Sequence, residues 1–325
     1  MEGDLGTALR GQAHDWPALM DASGKPILVC MVWRGGERFR RCLASIHNAR
    51  EHFSRIVISV TSNPDSADVE LANVARDADP SIEVICTERE LPTMDHQAFW
   101  IDYLQETGAR GTDWIYWLAY DDEVRVRGIE AILNHDGTWP LEAGTAYFGP
   151  WAMRHESPDE LWSGDANSTL ESWTSFPAAG PLRLPVSEWI RQQLKQPTYM
   201  QMSGSVNPLQ SFIDLKEMRP RKRGPMRIEM AVAAAPGIFF VEEFPEPVSI
   251  IYGRSNSDRA SYGRRARRED VHLAAWLTRY AVAHPDQAVS VSRALSTAGV
   301  STVRAALGGG DGKTEEWRVR GLVAP

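Results

Sequence analysis

The chain opens its regular patterning at Ile27-Leu28-Val29-Cys30-Met31-Val32, a short continuous apolar run bounded by Pro26 and by Gly35-Gly36. A run of that length reads as a strand buried on both faces. Phe39, Leu43, Ile46 and Phe53 then recur at helical intervals, with Arg38, Arg40, Arg41 and Glu51 on other faces. Arg55–Val60 is a second apolar run, closed by the polar turn Thr61-Ser62-Asn63-Pro64-Asp65. A helix through Val69, Leu71 and Val74 leads to a third strand at Ile82–Ile85, and a helix around Ala98–Leu104 leads to a fourth at Trp114–Tyr120. Strands alternating with helices predict parallel βαβ units and an open, doubly wound sheet.

The second half has a different texture. One strand is expected at Thr145–Met153, followed by a stretch rich in Pro, Gly, Ser and Trp; further strands are expected at Met200–Val206, Ile238–Val241 and Val248–Tyr252. Helices are expected at Pro208–Glu217, Met226–Ala235, Val271–Ala283 and Ala288–Leu307. This half reads as a continuation of one sheet. The division expected is a tail over 1–24, a first half over 25–144, a second half of the same domain over 145–262, and a helical extension over 263–325.

Composition narrows the function. Across 325 residues, 35 Lys+Arg stand against 43 Asp+Glu, a formal charge of −8. That balance argues against a dedicated nucleic-acid binder, which needs a positive footprint. The three cysteines, Cys30, Cys42 and Cys86, have neither CxxC spacing nor the density of a disulfide scaffold, as expected in a reducing cytosol. No apolar run approaches the roughly 18 residues of a membrane span.

In open α/β sheets, ligands bind beyond the carboxyl ends of the strands. Three such edges are candidates: Trp33-Arg34-Gly35, the segment Thr61–Asp68, and Asp121-Asp122-Glu123. Three consecutive acids after a strongly apolar strand are electrostatically unfavourable unless a cation or solvent compensates them. Such oxygen ligands suit Mg²⁺ or Mn²⁺, which take one or two carboxylates plus substrate phosphates. The same acids also read as a solvated turn opening the next helix.

The chain resembles the GT-A nucleotide-sugar glycosyltransferases, especially the family-2-like enzymes of bacterial polysaccharide synthesis. The resemblance is carried by Lys25–Val32, by Arg41-Cys42-Leu43-Ala44-Ser45-Ile46, by Ser66-Ala67-Asp68 and by Tyr116–Glu123, which is similar to the family's fourth strand and DxD motif. It continues through Met202–Val206, Gly224–Glu229 and Ser249–Ser257. Two departures stand out. Either Ala119-Tyr120-Asp121 or Asp121-Asp122-Glu123 is the DxD counterpart, and Thr61, Ser62 and Asn63 stand where the family carries its uracil-contacting Asp.

The resemblance implies a GT-A-like, mostly parallel sheet and transfer of a sugar from a nucleotide diphosphate to an acceptor hydroxyl, with inversion. Such a displacement needs a cation on the leaving group, a carboxylate base and a site closed to water. It implies Asp121 and Glu123 as ligands of Mn²⁺ or Mg²⁺, and Glu229 as the base, with Glu242 and Glu243 in reserve. Trp33, Arg34, Ser62, Asp68, Asp122, Arg254 and Ser255 are the expected donor contacts. The acceptor is a saccharide or a lipid-linked saccharide, so a cytoplasmic enzyme visiting the inner membrane face is expected. The last helices are candidates for a homodimer contact. Arg219, Arg221, Lys222 and Arg223 read as a phosphate-binding cluster or a surface patch, and Arg264, Arg265, Arg267 and Arg268 as a solvated face. Trp151, Trp162, Trp173 and Trp189 read as sugar platforms or as core. Two other readings remain: a sugar-phosphate nucleotidyltransferase, for which Trp33-Arg34-Gly35-Gly36-Glu37 is a poor glycine-rich loop, and a catalytically idle protein of the same fold.

Overall fold

The computed structural model describes residues 24–62, 66–148, 151–154, 171–173, 183–185, 203–217, 240–243 and 248–252. Its first half alternates as the hydrophobic pattern predicts. Strand β1 (Ile27–Val32) is buried at every position and is followed by α1 (Gly36–Ala49), which buries Phe39, Cys42, Leu43, Ile46 and Ala49 on one stripe. Then come β2 (Arg55–Val60), α2 (Ala67–Ala78), β3 (Ile82–Cys86), α3 (Thr93–Glu106) and β4 (Trp114–Ala119). The Ser66 hydroxyl caps α2 by accepting the Val69 N–H.

Short elements follow: β5 (Glu123–Val124), α4 (Val126–Ile132), β6 (Thr145–Phe148), β7 (Trp151–Arg154), β8 (Glu171–Trp173) and β9 (Arg183–Pro185). The described residues end with β10 (Ser205–Pro208), α5 (Leu209–Glu217), β11 (Phe240–Glu243) and β12 (Ser249–Tyr252).

Eight strands form one sheet in the order β3-β2-β1-β4-β10-β6-β11-β9. The first four are parallel, β10 runs antiparallel between β4 and β6, and β11 lies parallel to β6. This is the expected mostly parallel, doubly wound sheet. Side chains alternate between two apolar layers. Leu28, Cys30 and Val32 join Phe39, Ile46 and Val69 on one face, while Val29 and Met31 join Trp100, Leu104 and Phe212 on the other. Helices therefore cover both faces, the doubly wound arrangement.

Three expectations change. The strand expected over Thr145–Met153 divides into β6 and β7, which enter different sheets; Gly149-Pro150 interrupts the sequence between them. The second half does not only continue the first sheet, because β5-β12-β7-β8 form a second, four-stranded one. Phe53 lies beyond α1, after the 3-10 turn Arg50–His52, in extended backbone. It still joins the core, with its ring 5.1 Å from that of Tyr116. No helix among the described residues is long and apolar enough to cross a membrane.

Candidate active site at the carboxyl edge of the sheet

The chain proceeds outward from β1 to β2 and β3, then returns to place β4 on the other side of β1. The crevice between the carboxyl ends of β1 and β4 is therefore where the strand order reverses, the usual ligand position in such sheets. Trp33-Arg34-Gly35 leaves β1 at this crevice, and Tyr120-Asp121-Asp122 leaves β4. The two turns touch: Tyr120 N–H donates to Met31 C=O at 3.2 Å, and a Cβ added at Gly35 would stand 3.1 Å from the Tyr120 ring.

The acids do not open the next helix. Asp122 N–H closes a turn onto Ala119 C=O, β5 follows immediately, and α4 begins only at Val126, with no acid in its first turn. Helix α1 holds this turn from below through two residues one helical turn apart. Arg41 Nε lies 2.9 Å from Glu123 Oε1, and Ser45 Oγ accepts the Val124 N–H at 3.0 Å. The Arg-x-Leu-x-Ser-Ile segment of the sequence is thus the brace of the acidic turn. From the other side, Ser203 Oγ accepts the Ala119 N–H at 2.9 Å, and Ile250 pairs with Glu123 in the second sheet.

The three acids consequently differ. Asp122 is buried, Glu123 is paired with Arg41, and Asp121 is half-exposed at the crevice. Their charge is felt behind the turn. Burial pushes the Cys42 thiol well up, with Asp122 and Asp121 adding to the shift; burial and then Asp121 push the Tyr120 phenol up to about 12. Among the described residues there is no cluster of three or more His, Cys, Asp or Glu able to enclose a metal by itself. One or two carboxylates at an open crevice match a cation completed by phosphate oxygens.

The β1–α1 turn is held by Asp68. Both its carboxylate oxygens are engaged, accepting the N–H groups of Gly35 and Gly36 at 2.8 Å each. Arg34 has φ 52°, the one non-glycine in the left-handed region among the described residues. It reaches across β2 to Glu90, on the loop between β3 and α3, with Nε–Oε1 2.9 Å and Nη2–Oε2 3.1 Å. Its guanidinium also lies 5.3 Å from the centre of the Trp33 ring. Ser62 follows β2, and its carbonyl accepts from the Cys86 thiol.

Glu229, Arg254, Ser255 and Asn63 lie outside the described residues, as do the basic clusters at 219–223 and 264–268, Trp162, Trp189 and the expected helices beyond residue 225. Glu242 stands on β11, three strands from β4 or about 14 Å along the sheet. Burial raises its pKa, while Arg183 opposes the shift. Trp151 and Trp173 are register partners in the second sheet. A cavity of about 280 Å³, bordered by Lys25, Arg55, Arg110 and Asp113, opens at the opposite, amino-terminal edge of the strands, away from these acids. Sequence reasoning did not single out Glu90, gave Ser203 no role beyond its place in Met202–Val206, and missed the bracing roles of Arg41 and Ser45. The last two lay inside the quoted helix motif, but only the fold brings them to the turn.

No protein-family profile matches the chain, and no curated protein matches it in sequence. Among solved structures it is similar to TarS of S. aureus, residues 1–349 with UDP-GlcNAc, at 10% identity and TM-score 0.48, covering 87% of this chain and 92% of that one. It is also similar to the mannosyltransferase PcManGT of Pyrobaculum calidifontis, solved with GDP-Man and Mn²⁺, at 10% identity and TM-score 0.46, covering 88% and 76%. A third likeness is to GalNAc-T7 with UDP, GalNAc and Mn²⁺, at 11% identity and TM-score 0.47. It covers 71% of this chain, which spans only 44% of that enzyme. Likenesses this distant assign no substrate to this chain.

Proposed function

We propose that this protein is an inverting, divalent-cation-dependent glycosyltransferase, moving a sugar from a nucleotide-diphosphate donor to the hydroxyl of a saccharide or lipid-linked acceptor. The observation that carries the reading is the position of Asp121: a half-exposed carboxylate where the strand order reverses, with its turn braced from α1 and from the Ser203-Gly204 turn before β10. Asp121 would hold Mn²⁺ or Mg²⁺, and that cation, when bound, supplies positive charge to the diphosphate leaving group. Asp122, buried beneath, adds negative potential that favours a cation at the same place. Glu123 contributes through Arg41, by keeping the turn in place.

The remaining chemistry falls to the chain's own groups. Arg34 and Trp33 face the donor end of the crevice, and Arg suits diphosphate oxygens through its fork of donors. Glu229, by the resemblance, takes the proton from the acceptor hydroxyl as that oxygen attacks the anomeric carbon. Arg254 and Ser255 belong to the polar segment that, in the same resemblance, closes over the diphosphate.

The nucleotidyltransferase reading fits less well. A glycine-rich phosphate cradle needs free backbone N–H groups, and those of Gly35 and Gly36 are taken by Asp68. The test is calorimetric titration with UDP, GDP and dTDP, each with and without Mn²⁺, on the native chain and on Asp121→Ala. Metal-dependent binding of one nucleotide, lost in the variant, is the expected result. Absence of any nucleotide binding overturns the reading and favours an idle fold.

A further inference from the structure

Thr61 stands at the end of β2, where the resemblance places a base-reading carboxylate, and its hydroxyl is otherwise employed. Thr61 Oγ1 accepts the Leu91 N–H at 2.6 Å and lies 3.4 Å from Thr87 Oγ1, which itself donates to Arg89 C=O at 2.6 Å. These bonds fold the β3–α3 loop back over the end of β2 and set Glu90 beside the β1–α1 turn. A carboxylate thus reaches the end of β2, where the resemblance places the base, from the loop after β3.

The form in which Glu90 is held identifies what it fits. Both of its oxygens face one planar fork of N–H donors, Nε and Nη2 of Arg34, at 2.9 and 3.1 Å. Trp33, 46% exposed, lies beside the same fork, its ring centre 5.3 Å from the Arg34 guanidinium carbon. Arg34 keeps the Glu90 carboxyl below the usual carboxylate range, so it is ionised at neutral pH. Among nucleobases, guanine alone presents two adjacent donors, N1–H and the 2-amino group, in the spacing of an arginine fork. Uracil and thymine offer a carboxylate a single N–H between two carbonyl oxygens, so only one of the two oxygens held by the Arg34 fork would find a donor there.

We propose that Glu90 is the base-reading residue of the donor site and that the donor is a guanosine diphosphate sugar, whose guanine edge takes the place of the Arg34 fork on Glu90 while Trp33 offers an aromatic surface to the ring. The inference rests on the donor-site reading above and adds the base. Arg34, solvent-exposed at 68% of its side chain and held in left-handed backbone, is a partner that a ligand can displace.

Calorimetric titration with GDP, IDP, UDP and dTDP in the presence of Mn²⁺, on the native chain and on Glu90→Gln, tests this. IDP is GDP without the 2-amino group. The native chain is expected to bind GDP about tenfold or more tightly than IDP or UDP, a discrimination typical of a site built to bond a polar group. In Glu90→Gln the GDP-to-IDP ratio is expected to fall to within about twofold, because a neutral amide offers the fork a single acceptor. The variant lies on an exposed loop and its folding is checked by the thermal midpoint. A preference for UDP or dTDP, or a GDP-to-IDP ratio unchanged in Glu90→Gln, overturns the inference and leaves the donor-site reading standing. Failure of every nucleotide to bind overturns both.

Discussion

The Asp68 carboxylate accepts the N–H of Gly35, 33 residues earlier in the chain, at 2.8 Å, and with its second oxygen the N–H of Gly36. One side chain at the start of α2 thereby fixes the turn that carries Trp33 and Arg34. Bonds from an ionised acceptor to backbone N–H groups are about twice as strong as neutral ones. Asp68→Ala leaves the buried Gly35 donor without its partner, and a destabilisation of about 2–3 kcal/mol is expected in denaturant unfolding. Asp68→Asn restores one acceptor and is expected to recover part of that loss. A midpoint unchanged in Asp68→Ala contradicts the role.

Asp121 and Glu123, two residues apart, are expected to fail in opposite ways. Glu123→Ala strips Arg41 of a partner that is 15% exposed, and stability is expected to fall by roughly 1–3 kcal/mol. Asp121→Ala removes a half-exposed acid beside another acid, and the unfolding midpoint is expected to move by no more than about 0.5 kcal/mol. Mn²⁺-dependent nucleotide binding is expected to disappear in Asp121→Ala and to survive in Glu123→Gln. Thermal unfolding and calorimetry on the three variants separate these outcomes.

Gly204 has φ 87°, and a Cβ there would stand 2.8 Å from Ser249 Oγ and 2.9 Å from Val248 Cγ2. Its N–H donates to Trp117 C=O, and the neighbouring Ser203 binds both Ala119 and Ser249. The larger sheet and the smaller one meet here, just behind the acidic turn. Left-handed backbone costs a residue with a Cβ about 1–2 kcal/mol, and overpacking adds about 1–3. Gly204→Ala is therefore expected to lose about 2–5 kcal/mol and to weaken nucleotide binding with it. Binding retained at full strength would show that the sheet junction does not support the turn.

The sequence was most legible where one element buries one periodic face. The apolar runs of β1, β2 and β4 and the stripe of α1 required only local reading, and with them came the strand edge bearing Asp121. What local reading missed was assembled by long-range contacts. Val124 lies 79 residues from Ser45, and Glu90 lies 56 residues from Arg34. Strand β5 is two residues long and exists because β12 pairs with it, so no window of sequence carries its signal. Likewise, Asp68 read as a donor contact, whereas its two oxygens serve the backbone of another turn.

His96, in the first turn and a half of α3, bonds Ser59 on β2, Nε2 to Oγ 2.8 Å, and is 2% exposed. The pair anchors the start of α3 and thus the end of the loop that carries Glu90. Burial lowers the His96 pKa to about 4, against an ordinary 6.5. The unfolded chain then binds a proton that the folded chain refuses between those values, so stability rises with pH across that window. This group's contribution is complete above about pH 6.5 and is lost as pH falls toward 4, where the full shift corresponds to roughly 3 kcal/mol. Denaturant midpoints measured from pH 4.5 to 7 on the native chain and on His96→Gln are expected to converge as the pH falls. If the variant retains the native slope, the titrating group lies elsewhere, and Ser59–His96 is only a packing contact.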